Sequence, residues 1–428
     1  MSGYLVGAAD RERLEQVAND SPDEGLRRRA RLLLLYDDGL PTTEVAREAG
    51  ISPSRARYWK RQYHARGMAI FFDKHPAPSE EPEPGAPVTA PAQSPHPPFH
   101  GLAGFAVETA SQAGPGVQAD EPLAEAGRKV WRYQLAHMLL HEPGTLLGED
   151  IEELHDMRVA TRRMRAAFDV FSQAFLPRAL KKHLKGLRRT GRRLGQVRDL
   201  DVFIDKARRY QETLPAEQRL ALEPLLNTWA DSREAARQEL VAYLQSSRYQ
   251  AFKEKFYEFV STPGAGALPS PAEMPGPYLV RDAAPALIYA RLAGVRAFDA
   301  ILPQATLEQF HALRIEFKKL RYTLEYFREV LGEDVKAVIN EIKKLQDHLG
   351  DLNDANVASG ILRDFLAQWD VLQAQKPVAE RHNPEPVLAY LSYQYTERQR
   401  LMLTFQDAWA HFNRPRLRAK LAKAVAVL

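Results

Sequence analysis

One stretch occurs twice in this chain, and any fold it adopts must accommodate both copies. Residues 153 to 171 read ELHDMRVATRRMRAAFDVF and residues 309 to 327 read QFHALRIEFKKLRYTLEYF, so His155, Arg158, Arg162 and Arg165 recur as His311, Arg314, Lys318 and Arg321. At 100° per residue, positions 0, +3, +7 and +10 fall within an arc of roughly 80° on one helix face. A histidine and three cations therefore form one stripe. Met157, Ala160, Met164, Ala167, Phe168 and Phe171 occupy the opposite side and are expected in a core. Like charges this close repel, and a chain that lines them up twice is expected to have an anion to neutralise them.

The repeat extends further. LGQVRDLDV at residues 194 to 202 aligns with LGDLNDANV at residues 349 to 357, at nearly the same offset, which points to duplication of a multi-helix unit. The Leu194-Gly195 and Leu349-Gly350 pairs read as helix ends, with Asp199 and Asp354 as N-caps of the helices that follow. Periodicity predicts helices at about Leu123 to Leu140, Gly148 to Phe175, Lys181 to Arg193, Asp199 to Glu212, Ala216 to Ser246 and Tyr249 to Val260. After a Pro/Gly-rich connector over residues 261 to 285, helices resume at Ala284 to Ala300, Leu307 to Val330, Asp334 to Leu349, Asp354 to Gln373, Val387 to Trp409 and Arg414 to Leu428. Strand signals are missing, so this region reads as all-α.

Charge is densest just before the first Leu-Gly. Between Phe175 and Asp199 stand Arg178, Lys181, Lys182, Lys185, Arg188, Arg189, Arg192, Arg193 and Arg198 with no carboxylate among them, and Lys181, Lys185, Arg188 and Arg192 share a face. The second copy keeps Lys336, Lys343 and Lys344 but has Asp347 where the first has Arg192. The first half is the more basic.

Upstream, residues 1 to 72 form a separate small module. Helices from about Asp23 to Tyr36, Thr42 to Ala49 and Pro53 to His64 are expected, the first ending at Asp38-Gly39 and the last opened by Ser52 as N-cap and Pro53 at its first position. Ala46 and Gly50 stand where two helices must approach closely. The last helix carries Arg55, Arg57, Lys60 and Arg61 beside Tyr58 and Trp59, candidates for contacts with a DNA backbone. This part is similar to the homeodomain-like helix-turn-helix at the N-terminus of insertion-sequence transposases; packing or protein binding is the alternative role. Residues 73 to 121, with nine prolines between Pro76 and Pro98, read as a disordered extended linker to a second unit at 122 to 428.

Composition excludes several chemistries. No cysteine is present, so disulfides, thiolate zinc sites and cysteine nucleophiles are out. No apolar run is long enough to span a bilayer and the N-terminus carries no secretory pattern, so no membrane partner and a cytoplasmic location are expected. The net charge of +4 over 428 residues is modest, so clustering rather than bulk charge points to a polyanion. Arg and Lys together suit phosphate oxygens, and a nearby His gains charge when phosphate is close. Single-stranded nucleic-acid sites add exposed aromatics, whereas Phe168, Phe171, Phe317 and Phe327 lie on the apolar face, Tyr322 alone falling near the basic arc. Charge without bases to read fits inorganic polyphosphate better than DNA or RNA.

HDMRVATRRMR, HALRIEFKKLRY, LGQVRDLDV and LQDHLGDLNDANV, preceded by VWRYQLAHMLLHEPGTLLGEDIEELHDMR, resemble the conserved histidine α-helical domain, or CHAD, over about residues 122 to 428. The resemblance implies duplicated antiparallel four-helix bundles with pseudo-twofold symmetry, here 122 to 260 and 286 to 428, around a basic surface or pore. It also implies binding of inorganic polyphosphate, often at polyphosphate granules. The family's basic positions carry over to His155, Arg158, Arg162, Arg165, His311, Arg314, Lys318 and Arg321, and more loosely to Lys181, Lys185, Arg188, Arg189, Arg192, Lys336 and Lys343. Many relatives carry a fused β-stranded triphosphate-tunnel catalytic domain, for which this sequence shows no pattern. No catalytic residue, cofactor or metal is expected. Two other functions remain open: a DNA-binding regulator or transposase-derived protein acting through the N-terminal module, and a metal-dependent phosphohydrolase built on His155 with Asp156, or on His348 with Asp347, Asp351 and Asp354. Asp169 and Glu325, four residues after Arg165 and Arg321, read as ion-pair partners of those arginines.

Overall fold

The computed structural model describes residues 8–21, 24–40, 42–49, 56, 59–60, 63, 68, 100–215, 219–269, 278–381 and 383–428. The chain divides into two compact units, residues 1–100 with 147–153, and residues 101–146 with 154–428. Regular structure among the described residues is helical, with only two isolated β-bridges. No described helix is long and apolar enough to cross a membrane.

In the N-terminal unit α1 (Ala8–Asp20), α2 (Glu24–Asp37) and α3 (Thr42–Glu48) close over Leu14, Leu32, Leu33, Tyr36, Val45 and Ala46. Gly39, at φ 82°, ends α2 as Asp38-Gly39 predicts, with Leu40 N bonded back to Leu35 O. The additional helix α1 is anchored by charge, Arg11 bridging Asp37, the last residue of α2, and Asp38 beyond it. Ser52, Pro53, Arg55, Arg57, Tyr58 and Arg61 lie outside the described residues. Trp59 and Tyr63 belong to the core, Arg29 stacking on the Trp59 ring at 4.3 Å, and Lys60 covers Tyr36 at 4.6 Å.

The larger unit opens with α4 (His100–Ala110), inside the stretch read as linker. Phe105 meets Tyr257 edge-on at 4.7 Å, and Phe105 and Val117 both enter the main core. Two apolar anchors are enough to order this end of a proline-rich segment; residues 73–99 lie outside the described residues. Then follow α5 (Leu123–Leu140), short α6 (Glu142–Leu147), α7 (Ile151–Phe171), α8 (Pro177–Thr213), α9 (Glu223–Gln245) and α10 (Ser247–Ser261). After the connector come α11 (Val280–Arg296), α12 (Leu307–Tyr326), α13 (Val335–Ala374), α14 (Glu385–Phe412) and α15 (Pro415–Val425). Five helices, α5 and α7 to α10, precede the connector with α6 between them, and five, α11 to α15, follow it; each set has one helix far longer than the rest, α8 and α13.

That long helix corrects the sequence-based expectation. Leu194-Gly195 and Leu349-Gly350 do not end helices: α8 runs unbroken for 37 residues and α13 for 40. Neither glycine has a positive φ, so neither adopts the left-handed terminating conformation. Asp199 and Asp354 are accordingly not N-caps; their carboxylates take side-chain cations instead. Continuity is maintained because apolar residues keep helical spacing across each glycine, with Leu194, Val197 and Ile204 buried in α8 and Leu345, Leu349 and Leu352 in α13.

α11 begins at Val280, earlier than the connector boundary at 285, and carries Pro285 within it. Its first turn is tied to the segment that precedes α5: Val280 N donates to Glu121 O at 3.0 Å, Arg281 N to Ala119 O at 3.0 Å, and Leu123 N to Tyr278 O at 2.8 Å. These bonds satisfy donors that a helix start leaves open, so the helix can begin before its proline. Conversely α9 begins at Glu223 rather than Ala216, behind a 3₁₀ turn at Leu220–Leu222 and with Pro224 in its first turn.

The two repeats share one core rather than holding one each. Trp131, Phe168, Phe171 and Phe175 of the first lie in the same buried cluster as Phe310, Phe317, Phe327 and Phe405 of the second, with Phe171 and Phe327 rings 5.6 Å apart. A second cluster sets Phe203 and Ile204 of α8 and Trp229 of α9 against Leu362 and Phe365 of α13 and Tyr390 of α14. Each long helix serves both cores.

Candidate anion-binding site

The stripe helices α7 and α12 bury the faces assigned to them. Met157, Met164, Ala167 and Phe171 are fully enclosed, as are Leu313, Phe317 and Leu320. The cationic faces are thereby turned to a common side. Arg158 and Arg162 of α7 act electrostatically on Arg314 and Lys318 of α12, so cations from both repeats converge.

The convergence is costly. Burial, with Arg314, Arg162 and Arg158 adding repulsion, lowers Lys318 from the ordinary 10.5 to about 7. Burial likewise pulls Arg158 and Arg314 below the ordinary arginine value. Arg162, Arg314 and Lys318 form no ion pair among the described residues, and the buried Nε atoms of Arg162 and Arg314 have no acceptor. Arg158 does have a partner, its Nη2 donating to Asp199 Oδ1 at 3.0 Å. Asp199 is itself pushed up, first by burial and also by the charge of Asp354.

Beside this cluster lies a groove of about 340 Å³ lined by Arg162, Arg165, Arg188, Arg291, Lys318 and Lys319, with Asp169 the one carboxylate lining it among the described residues. Its apolar wall includes Leu184, Ile315 and Tyr322. Tyr322, the aromatic that the sequence places near the basic arc, is only 5% exposed and so offers an edge of floor rather than a stacking platform. Arg291 of α11 is an addition that no repeat or stripe signals; its Nη2 donates to Asp169 O at 2.9 Å, which orients it along the groove.

The other predicted positions divide. Lys181, Lys185, Arg188 and Arg192 stand exposed along one face of α8, and Arg188 also lines the groove. Arg189 acts on Tyr243 of α9, where Arg193 pairs with Glu239. Lys336 and Lys343 are exposed on α13 and do not line the groove. Arg321 is neutralised, donating to Glu325 at 2.7 Å and to Gln346 at 3.0 Å. Glu325 thus is the expected partner, whereas Arg165, lowered by burial and by the charge of Arg188, feels only the opposing charge of Asp169, with no direct ion pair among the described residues. His311 is exposed and bonds Asn353 through Nδ1 at 2.8 Å, while His155 is half-buried.

The residues offered as metal ligands have other tasks. His348 Nε2 lies 2.8 Å from Leu401 O, Lys206 bridges Asp354 at 2.9 Å and Asp351 at 3.6 Å, and Asp156 faces His141 at 4.0 Å. Among the described residues no group of three His, Asp or Glu side chains is placed to hold a metal ion. His137 and His183 are both held neutral, at about 4, mainly by burial.

Residues 129–363 match the family model of the CHAD domain, and residues 23–69 match that of a homeodomain-like domain. No curated protein matches the chain. Among solved structures, the CHAD domain from the plant Ricinus communis is similar in fold, at TM-score 0.51 and 22% identity over 72% of this chain and 93% of that one. PptA from Streptomyces chartreusis aligns at TM-score 0.47 and 17% identity, over 68% of this chain and 100% of that chain.

Proposed function

The chain belongs to the CHAD-domain family, and from that premise we propose that it binds inorganic polyphosphate without chemistry, through the cations that its two repeats bring together. The observation that carries this reading is the state of Arg162, Arg314 and Lys318. They come from two helices, are half-buried, repel one another and have no carboxylate partner among the described residues. An external polyanion supplies what the fold withholds. A phosphate chain bonds the guanidinium groups of Arg162 and Arg314, whose side chains are only half-buried, and offsets the repulsion that, after burial, depresses Lys318. Arg188, Arg165 and Arg291 continue the cationic surface along the groove, and Lys181, Lys185 and Arg192 extend it along α8. Affinity should then rise with chain length and fall steeply with salt, as counterions are released. A cytoplasmic site of action at polyphosphate granules is part of the same proposal.

A competition titration tests it, with the full chain at about physiological salt against long-chain polyphosphate, single-stranded DNA, heparin and triphosphate. Polyphosphate should win by tenfold or more, about 1.4 kcal/mol, and Arg158, Arg162, Arg314 and Lys318 changed together to Ala should abolish binding. Equal affinity for every long polyanion, unaffected by the quadruple change, would sink the proposal. Release of phosphate from the bound chain on adding magnesium or manganese would make it a hydrolase instead.

The homeodomain-like match over residues 23–69 supports a second role, DNA binding by the N-terminal module. A duplex library enriched on the full chain should converge on a sequence, and failure to retain duplex DNA in the presence of excess polyphosphate counts against it.

A further inference from the structure

Asp199 and Asp354 hold the same position in the two repeats, on α8 and α13, and both act on the convergent cations. They are not used alike. Asp199 accepts from Arg158 of its own repeat at 3.0 Å, whereas Asp354 is drawn across to Lys206 of α8 at 2.9 Å. Arg314, the counterpart of Arg158, is left with the fields of Asp354 and Asp199 but no direct ion pair among the described residues. The inequality is reversed two positions along the stripes, where Arg321 is held by Glu325 and Gln346 while its counterpart Arg165 has no ion pair among the described residues. What stays open is a diagonal set, Arg162 and Arg165 from one repeat and Arg314 and Lys318 from the other. Asp199 and Asp354 stand at the Arg158 and Arg314 end of it.

We infer that Asp199 and Asp354 are built-in counter-anions that set the charge density a polyanion must have to occupy the cation cluster, and so determine its specificity; this rests on the polyphosphate reading above. An incoming anion meets two fixed carboxylates whatever its chemistry, and that repulsion is a toll common to all ligands. Only contacts with the open cations offset it. Contiguous phosphates place a charge on every link and reach several of the four open cations at once. A nucleic-acid strand inserts a sugar between successive phosphates and reaches fewer for the same repulsion. With the carboxylates ionised, sparse polyanions are rejected and dense ones admitted.

The test changes Asp199 and Asp354 to Asn, singly and together, in the full chain, keeping shape while removing charge. Affinities for long-chain polyphosphate, oligothymidylate and heparin are measured by competition, with thermal melting to verify the fold. In the double variant every polyanion should bind more tightly, oligothymidylate most, so that the ratio favouring polyphosphate falls about tenfold. Unmasking Arg158 and Lys206 should also steepen the dependence of log K on log salt for oligothymidylate by about 0.7 for each cation freed. Asp199→Glu with Asp354→Glu, which restores charge, should recover both the ratio and the slope. A ratio unchanged within twofold, or weaker binding of all ligands with no change in slope, overturns the inference, since the aspartates would then only hold Arg158 and Lys206 in place. Failure of the parent chain to prefer polyphosphate at all overturns the underlying reading, and is seen before any variant is made.

Discussion

Lys318 concentrates the physics of this site in one side chain. Its depressed value of about 7 lies below the ordinary 10.5, so between these values the unfolded chain holds a proton that the folded chain has lost. Stability from this group therefore rises with pH across that window, and below about pH 7 the full cost of holding a charged Lys318 is present. Lys318→Met should raise the melting temperature at pH 6 and have little effect near pH 10, while weakening polyphosphate binding. A destabilised Met variant at pH 6 would mean that Lys318 is not strained. Binding shows the reverse sign, because phosphate oxygens favour the charged form. Calorimetry at pH 8 in buffers of different ionisation enthalpy should report uptake of about one proton per site, falling toward zero at pH 6 and vanishing in Lys318→Arg. The stripe itself is legible in the sequence, since helical spacing alone puts Arg158, Arg162, Arg314 and Lys318 on faces opposite their apolar residues. Which of them are neutralised is not, because Asp199 reaches Arg158 only where α8 meets α7, and Asp354 is taken up by Lys206 only where α13 meets α8. Arg291 is invisible for the same reason: no spacing within α11 indicates the groove it lines.

At the scale of the element, the long helices are where local signals mislead. A Leu-Gly pair followed four residues later by aspartate has the composition of a helix end and a new cap, yet the chain continues in αR through both copies. Local propensity loses to the burial of residues on either side, and the glycines are kept or tolerated for different reasons. A Cβ on Gly186 of α8 would come within 2.2 Å of the Phe252 ring, so this glycine allows α10 to approach closely. A Cβ on Gly350 of α13 would meet nothing within 4 Å. Gly186→Ala and Gly350→Ala should accordingly have opposite signs. The first gains about 1 kcal/mol of helix propensity but loses about 1–3 kcal/mol to overpacking, and should lower the melting temperature. The second keeps the propensity gain and should be stabilising by about 0.4–1 kcal/mol. Two destabilised variants would mean that Gly350 faces a close contact or a break in α13. The apolar periodicity that identifies Leu123–Leu140 correctly to the residue is the same signal that runs through Leu194 and Leu349. Punctuation by Gly and Asp is the weaker guide.

The whole molecule differs from the sum of its two repeats chiefly in its core. Duplication is visible in the sequence, whereas the sharing of one buried cluster by Phe171 and Phe327 is not, because nothing in a repeat says which face it turns to its copy. The same holds for the start of the larger unit. A boundary at residue 122 follows from the linker-like composition of residues 73 to 121 and the helical pattern after it, but α4 lies before that boundary and packs on the core. Glu329, just beyond α12, accepts from the backbone of Gly116 at 3.2 Å and Val117 at 2.6 Å, bonds that fasten the entering strand of chain to the second repeat. Phe105, Ala106 and Val117 are almost fully enclosed. A chain starting at residue 100 should therefore fold with the stability of the full larger unit. One starting at 122 loses a buried phenylalanine and leaves apolar surface around Tyr257 open to water, costing about 3–5 kcal/mol. Urea titration of the two truncations decides it: the shorter should unfold at lower denaturant with a smaller slope, since it exposes less surface on unfolding. Identical midpoints would mean that α4 rests on the core without contributing to it, and residue 122 would be the true start of the unit. The distinction governs how polyphosphate binding is tested, because a destabilised truncation can lose affinity without any change at Arg162, Arg314 or Lys318.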